Sequence, residues 1–293
     1  MTPARISRED LLKYDTFLFD VGGVLYKGHI PIPGAVEFVT TLLNSMKRVF
    51  IISNNSTKTP EQYLAEIEHM GFRGISGEQL ITPAIVLAAY FKDRPEYAGQ
   101  PIYLVGMEDL KNTLDTMGGV RCFGSGPDHF SSDSYEDFVF SFDVPVIPKA
   151  VVCSYDCHLS YPKIMKAATF LKRPEVEFLV TNEDKTLPLR SDVVVPGAGA
   201  VSSTVRAVSG RTPIVFGKPH KPIADFLKKH HHIDAGKTVM FGDRLDTDMQ
   251  FANDNGFASC FMLTGVNTMD DVKKAEVRGE KHLLPTYTFS FSD

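Results

Sequence analysis

Asp20, Ser53, Lys218 and Asp243 are the side chains of this sequence whose types and placement could do chemistry together. Each follows a short apolar run. Asp20 comes after Phe17-Leu18-Phe19, and Ser53 with Asn54 and Asn55 after Val49-Phe50-Ile51-Ile52. Lys218 comes after Ile214-Val215-Phe216-Gly217, and Asp243 after Val239-Met240-Phe241-Gly242. Two carboxylates are hard oxygen ligands of the kind magnesium takes. A lysine and a hydroxyl supply a positive charge and a hydrogen-bonding group for a phosphoryl oxygen. Around one pocket, the four describe a site for magnesium and phosphate.

The elements that must position them follow from the pattern of apolar residues. Runs rich in Val, Ile and Phe predict strands at 17–19, 49–53, 102–105, 150–154, 178–181, 214–216, 239–241 and 258–263. The segments between them predict helices. Pro33-Gly34 precedes one, Thr59-Pro60 starts a second that Gly71 stops, and Ser76 precedes a third through Ala84–Lys92. Pro222 opens a fourth, and Asp246 or Thr247 is expected to cap a fifth over 248–255. Alternation of strand and helix implies a parallel sheet covered on both faces. Ligands of such sheets bind beyond the carboxyl ends of the strands. If the four strands named first are parallel neighbours, their terminal side chains converge on one edge.

A length of 293 residues suits one large domain carrying an inserted one, and 43% hydrophobic residues allow a core of useful size. The formal net charge of -5 gives no bulk attraction for nucleic acid or an anionic membrane. Cys122, Cys153, Cys157 and Cys260 fit neither a disulfide framework nor a zinc site, which is the usage of reduced thiols in a cytosolic protein. No apolar run reaches the roughly 18 residues that span a bilayer, and the first residues do not resemble a signal peptide. A cytoplasmic location is expected. His230, His231 and His232 follow two lysines at a helix end and point in different directions, a poor metal site. The run Val195–Ala200 has too few glycines for a dinucleotide fingerprint.

The four motifs, in this order, resemble those of the haloacid dehalogenase superfamily. FLFDVGGVLY is similar to its first motif, IISNNS to the second, GKP to the third and GDRLDTD to the fourth. SNNSTKTPEQY, SYDCHLSYPKI, TNEDKTLPL and VPGAGA resemble a capped phosphatase subgroup: phosphoglycolate phosphatases, with p-nitrophenyl and pyridoxal phosphatases nearby. The similarity runs from about Tyr14 to about Val272, and the tail after it matches loosely. The resemblance implies an α/β fold, a Rossmann-like doubly wound parallel sheet over residues 1–96 and 206–293. It implies an inserted α/β C2 cap domain over 97–205, with loops at Pro101, Gly126-Pro127 and SSDSYED. A homodimer through the cap is implied as well.

By the same resemblance, Asp20 is the nucleophile and forms an aspartyl-phosphate. Mg2+ is held by Asp20, Asp243 and the backbone carbonyl of Gly22, with Asp248 orienting metal-bound waters or Lys218. Ser53 donates to a phosphoryl oxygen with the amide of Asn54 beside it, Asn55 lies in the same loop, and Lys218 neutralises charge. His158, Asn182 and Asp184 are cap positions that could reach a small phosphorylated substrate. One departure matters. The family's phosphatases carry a second aspartate two residues after the nucleophile, as general acid and base, and this chain has Gly22 there. Loss of such a group costs about 10²–10⁴-fold in rate. Two functions are therefore expected to compete: a slowed phosphatase of small phosphorylated metabolites, phosphoglycolate-like or aryl phosphates, and a non-catalytic relative that binds such metabolites or a protein partner.

Overall fold

The computed structural model describes residues 3–128, 134–190 and 192–292. The chain divides into two compact units. The first comprises Met1–Ser53, Pro60–Thr82 and Lys218–Asp293, the second Asn54–Thr59 and Pro83–Gly217.

The first unit is built on a seven-stranded sheet. Its spatial order is Ala4–Arg5, Tyr287–Phe289, Ala258–Met262, Thr238–Gly242, Thr16–Phe19, Arg48–Ile52 and Leu80–Ile81. Every pairing is parallel. Thr16–Phe19 and Thr238–Gly242 are buried along their whole length. Continuous apolar runs, rather than alternating ones, are what a strand covered on both faces needs. The register sets Phe19 beside Phe241 on one side and Ile51 on the other. Asp20, Ser53 and Asp243 consequently leave the sheet at the same edge. Beneath that edge the rings of Phe19 and Phe241 stack with centroids 4.7 Å apart. Phe38, from the helix Ala35–Asn44, lies edge-on to Phe19 and tilted against Phe289 and Phe291. Burying each such ring is worth about 1.5–3 kcal/mol.

The second unit carries a five-stranded parallel sheet in the order Ile214–Val215, Glu177–Val180, Ala150–Cys153, Pro101–Val105 and Arg121–Phe123. Val105, Val151, Phe170, Val180, Val201 and Val205 are part of its core. The antiparallel pair Thr186–Arg190 and Val193–Pro196 lies in the same unit. This unit is wider at both ends than the 97–205 insert expected from sequence. The helix Pro83–Lys92 packs on the helix Glu108–Gly118, and Ile214–Val215 extends the sheet.

Several expectations are corrected. The Ile214 strand is not a neighbour of the Asp20, Ser53 and Asp243 strands; it pairs with Glu177–Val180, and the chain returns to the first unit only at Lys218. Ser76 does not lead directly into the Ala84 helix. Gln79 folds back to accept from the Ser76 N–H at 2.9 Å, which closes a single 3₁₀ turn before the strand Leu80–Ile81. Pro83 then starts the helix, having no N–H to leave unsatisfied. Neither Asp246 nor Thr247 caps a helix over 248–255. Leu245–Met249 forms a wide π turn and Gln250–Asp254 a short α-helix. The loosely matched tail supplies the strand Tyr287–Phe289 and the core rings Phe289 and Phe291. Of the run SSDSYED, residues 131–133 lie outside the described residues. Ser134 caps the helix Tyr135–Phe140 by accepting from the Asp137 N–H. All four cysteines are free thiols, and among the described residues no helix is long and apolar enough to cross a membrane.

Candidate active site

At the carboxyl edge of the first unit's sheet, Lys218 binds two carboxylates. Its Nζ donates to Asp20 Oδ1 at 2.5 Å and to Asp248 Oδ1 at 2.7 Å, with the Ile52 carbonyl at 3.2 Å. Lys218 is 2% exposed and the Asp20 side chain 16%. Asp248, next to none of the others in sequence, is placed by the wide turn: its Oδ2 accepts from the backbone N–H groups of Asp243 and Arg244, both at 3.1 Å. Asp243 in turn accepts from the Val266 N–H at 2.7 Å. Carboxylate oxygens of Asp20, Asp243 and Asp248 all lie within 4.8 Å of one another.

Three carboxyl groups face one ammonium, so with all three ionised the largely buried cluster would carry two uncompensated negative charges (three minus one). The carboxyl groups register this. Burial, with Asp248 and Asp243 adding to it against Lys218, pushes Asp20 up to about 8. Burial and then Asp248 push Asp243 up to about 6, against the Val266 hydrogen bond. For Lys218 burial opposes the charge, but Asp20 and Asp248 outweigh it and hold its pKa above the ordinary value. An all-oxygen donor set with an excess of two negative charges suits a hard divalent cation. The residues therefore fit the expected metal.

The two glycines after Val21 have different reasons. Gly23 has φ +75, and a Cβ there would stand 2.7 Å from Asp243 Oδ2 and from Gly265 Cα. No other residue fits. At Gly22 a Cβ would meet nothing within 4 Å, and the backbone is in no left-handed conformation. The fold does not require glycine at the position where the family's acid stands.

Sequence reasoning missed the loop that holds Asp243. A Cβ on Gly265 would lie 1.9 Å from Asp243 Oδ2, so glycine there lets the Val266 amide reach the carboxylate. The Thr264 hydroxyl donates to the Gly23 carbonyl, tying both loops together. The available signal was a Thr-Gly pair closely following the strand Ala258–Met262.

The remaining expected residues are arranged as follows. Ser53 is 6% exposed and its N–H donates to the Ile81 carbonyl. Asn55 Oδ1 closes a turn by accepting from the N–H and hydroxyl of Thr57. In the second unit, Asn54 and Asn182 both donate to Asp184 Oδ2, at 3.0 and 2.6 Å. Asp184 is held there from behind. Gly197 and Gly199 donate from their N–H groups to the Lys185 and Asp184 carbonyls, and a Cβ on either would stand 2.3 Å from a backbone oxygen. That close approach accounts for the glycines of VPGAGA. His158 is exposed; its backbone N–H, not its ring, is engaged, donating to Asp156 Oδ1 at 2.8 Å. His230 and His231 lie against Phe226 at the end of the helix Pro222–His231.

Comparison with known proteins agrees with this geometry. A family model described as haloacid dehalogenase-like hydrolase matches residues 17–119, and one described as HAD-hydrolase-like matches 215–288. The chain is 55% identical over 260 residues to a putative NipSnap protein of Caenorhabditis elegans, covering 87% of this chain and 49% of that one; it spans about half of that relative's length. It is 34% identical over 289 residues to the glycerol-3-phosphate phosphatase of Rattus norvegicus, covering 94% of this chain and 88% of that one. The crystal structure of a glycerol phosphate phosphatase from Mycobacterium tuberculosis in complex with magnesium matches with a TM-score of 0.76 at 26% identity, covering 96% of this chain and 76% of that one. With the Asp20, Lys218, Asp243 and Asp248 cluster at the edge of its parallel sheet, the chain belongs to the haloacid dehalogenase-like hydrolase family, as a relative of its phosphatases.

Proposed function

We propose that this chain is a magnesium-dependent phosphomonoesterase of small phosphorylated metabolites that works through an aspartyl-phosphate on Asp20 and is slowed at its proton transfers by Gly22. The observation that carries this reading is the buried cluster of three carboxylates and one lysine, whose excess charge calls for a divalent ion. The names of its phosphatase relatives support the same substrate class.

In this reading Asp20, Asp243 and the Gly22 carbonyl hold the ion, which when bound screens the nucleophile from the phosphoryl group it must approach. Lys218 favours the ionised form of Asp20 and would face the phosphoryl oxygens. Asp248 fixes Lys218 and the Asp243 backbone. Asp20 attacks phosphorus, the bond to the leaving oxygen breaks, and water later releases phosphate from Asp20. A glycine at position 22 can neither protonate the leaving oxygen nor take a proton from that water. Aryl phosphates, whose leaving groups scarcely need protonation, lose least in the first step. The second step stays slow, so phosphate accumulates on Asp20.

Gly22→Asp tests this directly, because a Cβ at this position meets no atom within 4 Å. Magnesium-dependent hydrolysis of glycerol 3-phosphate is expected to rise by about 10²–10⁴-fold, and that of p-nitrophenyl phosphate by less. Acid-quenched mass analysis of the unsubstituted chain with p-nitrophenyl phosphate should show a phosphate adduct on the Asp20 peptide. No hydrolysis by either protein, and no adduct, would overturn the reading. That outcome would favour the alternative to which the open space at Gly22 also points, a relative that binds phosphorylated metabolites without turning them over.

A further inference from the structure

Gly22 stands two residues beyond Asp20 and is exposed. A Cβ there would meet no atom within 4 Å, and no positive φ excludes a side chain. The loop around it is held by bonds that need no side chain at this position. Gly23 donates from its N–H to the Tyr26 carbonyl at 2.9 Å, and Leu25 from its N–H to the Val21 carbonyl at 2.9 Å. The Thr264 hydroxyl donates to the Gly23 carbonyl, and Gly22 itself is bridged to Tyr26. A loop pinned at Val21, Gly23 and Tyr26 keeps the space beside Gly22 open instead of folding into it.

An aspartate at position 22 would put a carboxyl group into this space. A small carboxylic acid from solution carries the same group without the covalent link. As the acid, it gives its proton to the leaving oxygen while the phosphorus–oxygen bond breaks, and becomes the carboxylate. As the carboxylate, it takes a proton from the water that attacks phosphorus on Asp20, and becomes the acid again. Phosphate leaves, Asp20 is restored, and no atom of the small acid is consumed.

We propose that the space beside Gly22 is a site for a small carboxylic acid, formate above all, which performs from solution the proton transfers that glycine cannot. This rests on the phosphatase reading and deepens it, since turnover then depends on a solute. The preference for formate is steric. A carbon that is not bonded to the Gly22 Cα stands off by about 3.5 Å, so each added carbon pushes the acid further outward. Formate should act best, acetate less well and propionate least.

The test is magnesium-dependent hydrolysis of p-nitrophenyl phosphate by the full chain while sodium formate replaces sodium chloride mole for mole. Steady-state turnover is expected to rise by about tenfold or more, part of the 10²–10⁴-fold that a built-in group supplies. Acid-quenched mass analysis should show the phosphate adduct on the Asp20 peptide falling as formate rises, because the water step is the one relieved. Gly22→Ala keeps the backbone carbonyl and puts a methyl where the acid would sit, so its ratio of turnover with and without formate should stay below about twofold. Gly22→Asp supplies its own carboxyl and should be equally indifferent to formate. Three results overturn the inference: no response of the unsubstituted chain to formate, an equal response in Gly22→Ala, or faster turnover with an unchanged adduct. In each of them the hydrolysis by Gly22→Asp still upholds the phosphatase reading. Absence of hydrolysis and of adduct in all three proteins overturns that reading and this inference with it.

Discussion

Among the described residues two lysines, Lys163 and Lys218, are almost wholly buried, and their surroundings differ in one respect. In the second unit Lys163 meets Asp156 at 2.6 Å, both side chains 0% exposed. One cation faces one anion, and the other oxygen of Asp156 accepts the His158 N–H. In the first unit Lys218 meets Asp20 and Asp248 with Asp243 close by, so one cation faces three carboxyl groups. A buried pair of matched charge completes itself and fixes the loop that carries it. A buried cluster with surplus charge is costly until something neutralises it. The same two residue types thus make a strut in one unit and a binding site in the other, and the ratio of charges decides which.

The largest effect that tests this contrast is catalytic. In the Gly22→Asp background, Asp20→Asn should lower magnesium-dependent hydrolysis of p-nitrophenyl phosphate by about a thousandfold or more. Its unfolding temperature at pH 8 without metal should hold or rise, because an uncompensated charge has gone. Rate and fold lost together would mean that Asp20 is a strut as well.

Next in size is the matched pair. Lys163→Met leaves the Asp156 carboxylate buried without its partner and should cost about 3–5 kcal/mol of stability in urea unfolding. Asp243→Asn should instead stabilise the metal-free protein at pH 8. If both variants destabilise equally, charge ratio does not separate the two regions.

A smaller effect sharpens the description of the site. Gly265→Ala places a methyl against Asp243 Oδ2 and should weaken magnesium binding by about 10–100-fold, as loss of a ligand-orienting contact does. Calorimetric titration with magnesium measures it, and an unchanged affinity would show that the 264–266 loop does not hold Asp243 for the metal.

The smallest expected effect is the pH dependence of stability. Asp20 and Asp243 have ordinary values of 3.8 and stand at about 8 and about 6 in the fold. A raised carboxyl contributes stability that is complete below its unfolded value and is lost as pH rises through its folded value. The metal-free protein should therefore lose stability between about pH 4 and pH 8. The gain in unfolding temperature on adding magnesium should be larger at pH 8 than at pH 5, by on the order of a few degrees. A gain independent of pH would place the ion away from these two groups.

Much of the site was legible because its residues close strands. An apolar run that ends in Asp, Ser or Gly-Asp marks a carboxyl edge wherever it folds, and parallel register then brings Asp20, Ser53 and Asp243 together. Lys218 does lie against Asp20, but not by the route expected: its strand belongs to the other sheet, and the lysine arrives from the segment that follows. The strands Ala4–Arg5 and Tyr287–Phe289 were invisible because two or three residues with polar neighbours carry no periodicity to detect.

By itself, then, the sequence settled the α/β class, the order of the strand-end motifs, and the absence of a carboxylate at position 22, since each is a property of consecutive residues. Only tertiary structure decided that Gly23 and Gly265 are obligatory while Gly22 is not, and that three carboxylates gather around one lysine. Those facts are distances between atoms far apart along the chain, and spacing in one dimension does not encode them until packing brings the segments together.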